Sequence, residues 1–356
     1  MKLQWTRKGR IRLGAALAAA ALVVGVSACS SNDDADNTSA PVSANADAFP
    51  VTLTGKFGEA TVEAPPVRAL PLSPQDADIL LSLGVTPIAL PVDRQNLAAT
   101  NNTGVWPWEE QALKDLGSAT PELLQLDAGL GSVTENIVAL EPDIIVSTGF
   151  WGLDQTSFDQ LNPQIPVVHF DTQANGEPWQ DSTRKVAEAL GIPEKAEEVI
   201  AQADASLQEA KQAHPEFEGK TYNAIIGDMG GGQLAVLASD ERGIGQFLSS
   251  LGLTLSPYAT TLPVDPDGRG LLSYENIGDL DADVLVVVSP TGDLEYLTKF
   301  EAWNQLPAVQ AGAVVSLARN TGRPNAVGFP SALSLDWATD QVAPEIAEAI
   351  EKGSAR

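Results

Sequence analysis

From about Phe49 onward the chain alternates short apolar runs with stretches whose apolar residues recur every three or four positions, the pattern of strands interleaved with amphipathic helices. "VRALPL" (67–72) reads as a strand. Ser73 then caps a helix, "PQDADILLSLG", with Pro74 in its first turn and Gly84 at its close. "VTPIAL" (85–90) predicts a second strand, and "PVDRQNLAATNNTGVWPWEE" a long loop carrying two tryptophans. A helix near 133–140, strands at 143–147 and 166–170, and a loop "STGFWGLD" between them complete the first half. From 179 to 213 the pattern is almost purely helical. One segment stops at Gly191 and another opens at Pro193, with Ala196, Val199, Ile200, Ala203 and Leu207 at helical spacing. At 1.5 Å per residue the second is a rod of roughly 30 Å. Beyond Gly219, strands at 222–227, 233–238, 283–288 and 314–318 alternate with helices near 243–251, 273–280, 293–306 and 331–350.

The two halves echo each other. "TENIVALEPDIIVS" (134–147) and "YENIGDLDADVLVV" (274–287) align without gaps and share Glu135/Glu275, Asn136/Asn276, Ile137/Ile277, Leu140/Leu280, Asp143/Asp283 and Val146/Val286. The simplest account is two similar α/β lobes flanking one long helix, with a ligand cleft between them. The bland alternative is any amphipathic helix entering any buried strand.

The first 28 residues are of another kind. Lys2, Arg7, Lys8, Arg10 and Arg12 form a basic start without an acid, followed by the apolar run Leu13 to Ala28 and then Cys29. Sixteen such residues fall short of the ~20 that a membrane span needs, so the segment reads as a secretory signal peptide. Ile11 separates Arg10 from Arg12, so the twin-arginine signal is not met. "VSAC" (26–29) resembles a bacterial lipobox, which would make Cys29 the lipidated first residue; a free cysteine in a discarded signal is the alternative. "SSNDDADNTSAPVSANADAFP", polar and small, suits a flexible tether. Cys29 is the chain's one cysteine, so the body holds no disulfide, thiolate metal site or cysteine nucleophile. The whole chain carries −26; without the five basic signal residues the balance is 16 Lys+Arg against 47 Asp+Glu, or −31. No basic field remains to hold nucleic acid.

The ordered set "SPQDADILLSLGVTPIAL", "ENIVALEPDIIVSTG", the mid-chain helix, "SYENIGDLDADVLVVVSP" and "FPSALSLDWATD", covering roughly residues 49–350, resembles the class III substrate-binding proteins of ABC importers. That resemblance implies an α/β fold of two Rossmann-like lobes joined by a single long α-helix, with the ligand cleft between lobes. It divides the chain into a signal peptide (1–28), a lipoprotein tether (29–48), an N-terminal lobe (49–178), connecting helices (179–214) and a C-terminal lobe (215–356). It implies a lipid-anchored monomer on the outer face of the cell membrane, which captures a ferric siderophore and passes it to a permease. It also implies that Glu135 and Glu275, one on each lobe, pair with permease arginines. Glu135 has a local alternative as the far end of a capping box from Ser132; Glu275 does not, because Leu272 stands three residues before it.

Loops after strand C-termini line such clefts. They offer Arg94, Trp106, Trp108 and Trp151 from the first half, and Met229, Arg242, Arg269, Arg319 and Arg323 from the second. Arginine forks bind carboxylate and hydroxamate oxygens in pairs, and indoles supply contact area with few rotors. Five arginines in a −31 body point to an anionic ligand, although each alone equally suits a surface ion pair. Trp303 and Trp337 lie in helices and read as core. "GDMGGG" (227–232) lacks the P-loop Lys-Ser/Thr and reads as a tight hairpin before "QLAVLA". Two histidines give no metal cluster: His169 sits in an apolar strand and His214 ends the long helix. No protein cofactor is expected, since a siderophore brings its own iron ligands. Cobalamin and haem are the alternatives within the class, with Tyr258, Met229 or His169 as candidate haem ligands. An envelope hydrolase using paired carboxylates is the alternative outside it, though neither G-x-S-x-G nor H-E-x-x-H occurs.

Overall fold

The computed structural model describes residues 44–126, 134–265 and 267–355. The signal segment, Cys29 and most of the tether lie outside the described residues, as does Ser132.

A hairpin of β1 (Val51–Gly55) and β2 (Gly58–Val62) precedes the first lobe. That lobe contains β3 (Ala69–Pro71), α1 (Pro74–Ser82), β4 (Ala89–Pro91), α2 (Pro107–Asp115), β5 (Glu122–Leu124), α3 (Thr134–Ala139), β6 (Ile144–Ser147), α4 (Gln155–Leu161) and β7 (Val167–His169). Strands β3, β6 and β7 pair in parallel in that order, and β4 pairs in parallel with β5. Two helices follow, α5 (Trp179–Ala189) and α6 (Pro193–Ala213). The second lobe runs β8 (Thr221–Gly230), β9 (Gln233–Leu237), α7 (Gly243–Ser250), β10 (Thr254–Leu255), β11 (Arg269–Ser273), β12 (Val284–Ser289), α8 (Glu295–Thr298), α9 (Glu301–Gln305), α10 (Pro307–Ala311), β13 (Val314–Ala318), α11 (Arg323–Gly328) and α12 (Ala332–Ser354). Its sheet has the order β11-β9-β8-β12-β13, with β10 on β8; β8, β10, β12 and β13 pair in parallel, and β9 runs antiparallel to both its neighbours, β8 and β11. The molecule is therefore an α/β fold of two lobes joined by a helix.

Several elements differ from the sequence reading. The expected loop at 91–110 ends in α2, because Pro107 opens a helical turn and Glu109 Oε2 accepts the Trp106 N–H at 2.8 Å. The strand expected at 85–90 is displaced to β4, since Gly84 and Val85 are still bonded to the end of α1. Asp154 caps α4, accepting from Ser157 N at 2.8 Å, where no helix was expected. The single helix expected near 293–306 is broken into α8 and α9 by extended Phe300, and Pro307 then opens a separate helix, α10.

The repeated motif has one structural job in both lobes. Ile137 and Ile277 are fully buried, each in its own lobe's core cluster. Asp143 accepts from Val67 N (2.7 Å) and Arg68 N (2.8 Å), and Asp283 accepts from Thr221 N (2.8 Å), so each aspartate anchors the neighbouring strand's first residues. That strand answers in kind. Arg68 Nη2 donates to Leu140 O at 2.7 Å, and Asn223 Nδ2 to Leu280 O at 2.8 Å, taking up a carbonyl that the helical turn leaves unpaired.

The lobes share one continuous core. Ala196, Val199, Ile200, Ala203 and Leu207 of α6 are buried together with Leu335, Val342 and Ile346 of α12, Leu80 of α1 and Val286 of β12. Ser206 Oγ on α6 donates to Asp336 Oδ1 on α12 at 2.6 Å. No helix among the described residues is long and apolar enough to cross a membrane.

Candidate functional site: a cavity between the two sheets

The C-terminal ends of β6, β8, β12 and β13 open onto a cavity of about 370 Å3, lined from both lobes. Trp151 comes from the first lobe and Trp179 from the start of α5; Arg242, Arg269, Arg319 and Phe329 come from the second lobe. This volume lies in the range of small-molecule sites, and its walls are mostly apolar with a few placed polar groups.

The wall that carries Trp151 is held by a buried carboxylate. Asp76 Oδ1 accepts from Thr148 N (2.7 Å), Thr148 Oγ1 (2.7 Å) and Gly149 N (3.1 Å), and Oδ2 accepts from Ser73 Oγ at 2.6 Å. Burial pushes the Asp76 carboxyl above its ordinary value, and these bonds pull partly back. A Cβ on Gly149 would lie 2.5 Å from Ser73 Oγ, so the loop can approach α1 only as glycine. Asn175 completes the corner by donating Nδ2 to Gly149 O at 3.1 Å.

Two further carboxyls, Asp78 and Glu109, are buried nearby. Both oxygens of Asp78 accept from Trp108 Nε1 (2.8 and 3.0 Å), and Oδ2 accepts from Ser331 Oγ at 2.9 Å. Burial raises the Asp78 carboxyl to about 7, and Glu109 is raised for the same reason and by the charge of Asp78. None of these three acids was expected at the site from the sequence: Asp76 and Asp78 lie on α1 and Glu109 on α2. The signal was present: Asp76 is spaced three and four residues before Ile79 and Leu80, on the apolar stripe.

Of the residues expected at the ligand, the cavity is lined by Trp151, 58 % exposed, and by Arg242 and Arg269. Trp106 and Trp108 do not reach it. They are 1 % and 5 % exposed, stacked at 5.1 Å, and part of the shared core. Arg94 sits outside the cavity, donating Nη1 to Gln125 Oε1 at 3.1 Å. Met229 is exposed at the tip of the β8–β9 hairpin, whose Gly231 and Gly232 take positive φ, as a tight turn requires. Arg323 is engaged by Glu345 and by Ser316 O (3.2 Å), tying α11 to α12 and β13. Arg319 does line the cavity. Trp303 is buried, while Trp337 is partly buried against Trp108.

His169 accepts from Phe57 N at Nε2 (2.9 Å) and donates from Nδ1 to Val167 O (3.0 Å). His214 ends α6, stacked on Phe217 and bonded to Glu216. Neither lines the cavity, and neither does Tyr258. Among the described residues no three His, Cys, Asp or Glu side chains group as a metal site. Glu135 and Glu275 are exposed in the first turns of α3 and of the 3-10 turn 274–279.

A family model described as periplasmic binding protein matches residues 72–321. The "Probable siderophore-binding lipoprotein YfiY" of Bacillus subtilis is 24% identical over 304 residues, 82% of this chain and 85% of that protein. A periplasmic solute binding protein from Mycobacterium smegmatis superposes with a TM-score of 0.68 at 28% identity, covering 84% of this chain and 98% of that one. PiaA of Streptococcus pneumoniae, solved in complex with ferrichrome, superposes with a TM-score of 0.72 at 22% identity, covering 85% and 99%.

Proposed function

Because the chain belongs to the periplasmic binding protein family, with the class III arrangement of two lobes about a long helix, we propose that it captures a ferric siderophore and delivers it to an ABC permease. The observation that carries this reading is the cavity between the sheets, walled by indoles and guanidiniums drawn from both lobes. A cargo seated there touches both halves at once, so its presence can be sensed as a change in their spacing. Relatives named for siderophore binding match most of the chain and support the same reading. Haem fits less well, since none of Tyr258, Met229 and His169 lines the cavity. The reading assigns the protein capture rather than catalysis.

Lipid on Cys29 would hold the protein to the outer face of the cell membrane, and the polar segment after it would give the body reach. Glu135 and Glu275 would meet cations of the permease, one from each lobe.

The test is a fluorescence screen of the purified protein against iron chelates, cobalamin and haem. Trp151 and Trp179 line the cavity, so a ferric complex bound there quenches them. Submicromolar quenching by a ferri-siderophore, absent with its iron-free form, supports capture. Absence of quenching by every iron chelate removes the reading.

A further inference from the structure

The cavity holds three guanidiniums, yet its walls are not an anion trap. Arg269 is already neutralised: its Nε bonds Asp265 Oδ2 at 3.0 Å and its Nη2 bonds Asp267. Asp267 itself lines the cavity and also accepts from Gln173 Nε2 of the other lobe at 3.3 Å. Glu177, also in the lining, adds a third carboxylate; its Oε1 takes Thr172 N at 2.9 Å, while its Oε2 is buried with no partner. Arg242 has Nη1 on Gly176 O at 3.2 Å across the cavity. Three cations and two carboxylates line the cavity, and Asp265, which pairs Arg269 from outside the lining, offsets the third cation, so the local charge is balanced. Arg319 differs from the others: among the described residues its side chain makes neither a hydrogen bond nor an ion pair, and it lies exposed at the start of the turn after β13.

Beyond the wall, the chain carries 47 acids against 21 Lys+Arg. A polyanion entering the cavity meets that field without a matching local excess of cations, and loses hydration as it does so. A neutral complex pays neither cost and gains contact with Trp151, Trp179 and Phe329.

We propose that the cavity selects an electrically neutral ferric complex of the tris-hydroxamate type, with Arg319 the guanidinium left to donate to its metal-bound oxygens. This rests on the capture reading and narrows it. The expectation of an anionic cargo, drawn from the arginines in the sequence, is replaced, because Arg269 and Arg323 are occupied by carboxylates of the protein itself.

Equilibrium dialysis of the purified protein with radioactive iron held as ferrichrome (neutral), as a ferric tris-catecholate (triply negative) or as ferric citrate tests this. Ferrichrome should bind about 100-fold more tightly than either anion. An anionic complex that binds as well or better overturns the charge assignment and leaves capture standing. If no ferric complex binds, capture fails and the assignment with it. Two variants probe the wall. Asp267→Asn removes one negative charge from the wall while Asp265 keeps Arg269 paired, and should improve tris-catecholate binding about tenfold relative to ferrichrome; no improvement counts against the balance of charges. Arg319→Gln, at an exposed position, should weaken ferrichrome about tenfold with an unchanged near-ultraviolet spectrum. Unaltered affinity removes Arg319 from the contact.

Discussion

Ser331, at the start of α12, donates its hydroxyl to Asp78 on α1 at 2.9 Å, joining residues 253 positions apart across the two lobes. The bond is fully buried and shares its acceptor with Trp108 Nε1. Removing the carboxylate altogether leaves the buried Trp108 Nε1–H unpaired, at a cost of about 1–3 kcal/mol, opens a cavity, and leaves Ser331 Oγ only the longer bond to Ser334 Oγ at 3.1 Å. Asp78→Ala should therefore be strongly destabilised, and Asp78→Asn, which keeps an acceptor oxygen, much less so. Thermal unfolding of the two variants checks the order; equal losses would deny the hydrogen bonds their role.

The same carboxylate sets a pH dependence of known sign. Its folded-state pKa is raised from 3.8 to about 7 by burial, so the folded protein prefers it protonated. Its contribution is fully present below pH ~4 and is lost as pH rises through about 7. Asp76 and Glu109, the carboxyls sharing this interior, are raised too and remain in the variant. The melting temperature of Asp78→Asn minus that of the wild type should rise from pH 4 to about pH 7 and level off above it. A difference flat across that range refutes the assignment.

His169 slopes the other way. Its Nε2 must accept from Phe57 N, so it must be neutral, and burial lowers its pKa below 6.5. Its contribution is present above pH ~6.5 and is lost as pH falls toward the lower folded value. Nitrogen NMR should find the Nδ1–H tautomer persisting below pH 6.5; titration at or above that value would be inconsistent with the pairing. The site is also tight, since a Cβ on Gly55 would lie 2.6 Å from the His169 ring. Gly55→Ala should cost about 1–3 kcal/mol through overpacking.

Much of this architecture was legible because it follows from periodicity. The buried stripe of α6 follows from helical spacing alone, and the shared Asp143/Asp283 is the same strand anchor in each lobe. What escaped notice was decided by partners distant in sequence. Trp106 and Trp108 looked like loop indoles because nothing local shows that α12 and Asp78 cover them. Arg323 and Arg319 have the same local appearance in "ARNTGRPN", yet only Arg319 lines the cavity, because Glu345 of α12 claims the other. Local pattern sets which elements form; long-range pairing decides which polar side chains remain for a ligand.

Asp76 should control the cavity without touching its contents. Its four hydrogen bonds fix Thr148 and Gly149, and through them the loop bearing Trp151. Asp76→Ala should loosen that loop, raising acrylamide quenching of tryptophan and weakening ferri-siderophore affinity together. Asp76→Asn, retaining an acceptor, should recover part of both. Weaker affinity with a rigid Trp151 would place the effect elsewhere.

Glu135 and Glu275 offer a separable test of delivery. Both are exposed, and both open short helical turns at the same point of the repeated motif. Exposed acids of this kind contribute little to folding, about 0–1 kcal/mol each. Neither lines the cavity, so ligand affinity has no reason to depend on them. If they meet permease cations, one lobe each, reversing both charges sets like against like at two points. Glu135→Arg with Glu275→Arg should then abolish siderophore-dependent iron uptake by cells, while the purified variant keeps wild-type melting temperature and ligand affinity. Each single reversal should reduce uptake by less than the pair. Loss of affinity in step with uptake would assign the two acids to the fold or the cleft, and unimpaired uptake would remove them from docking.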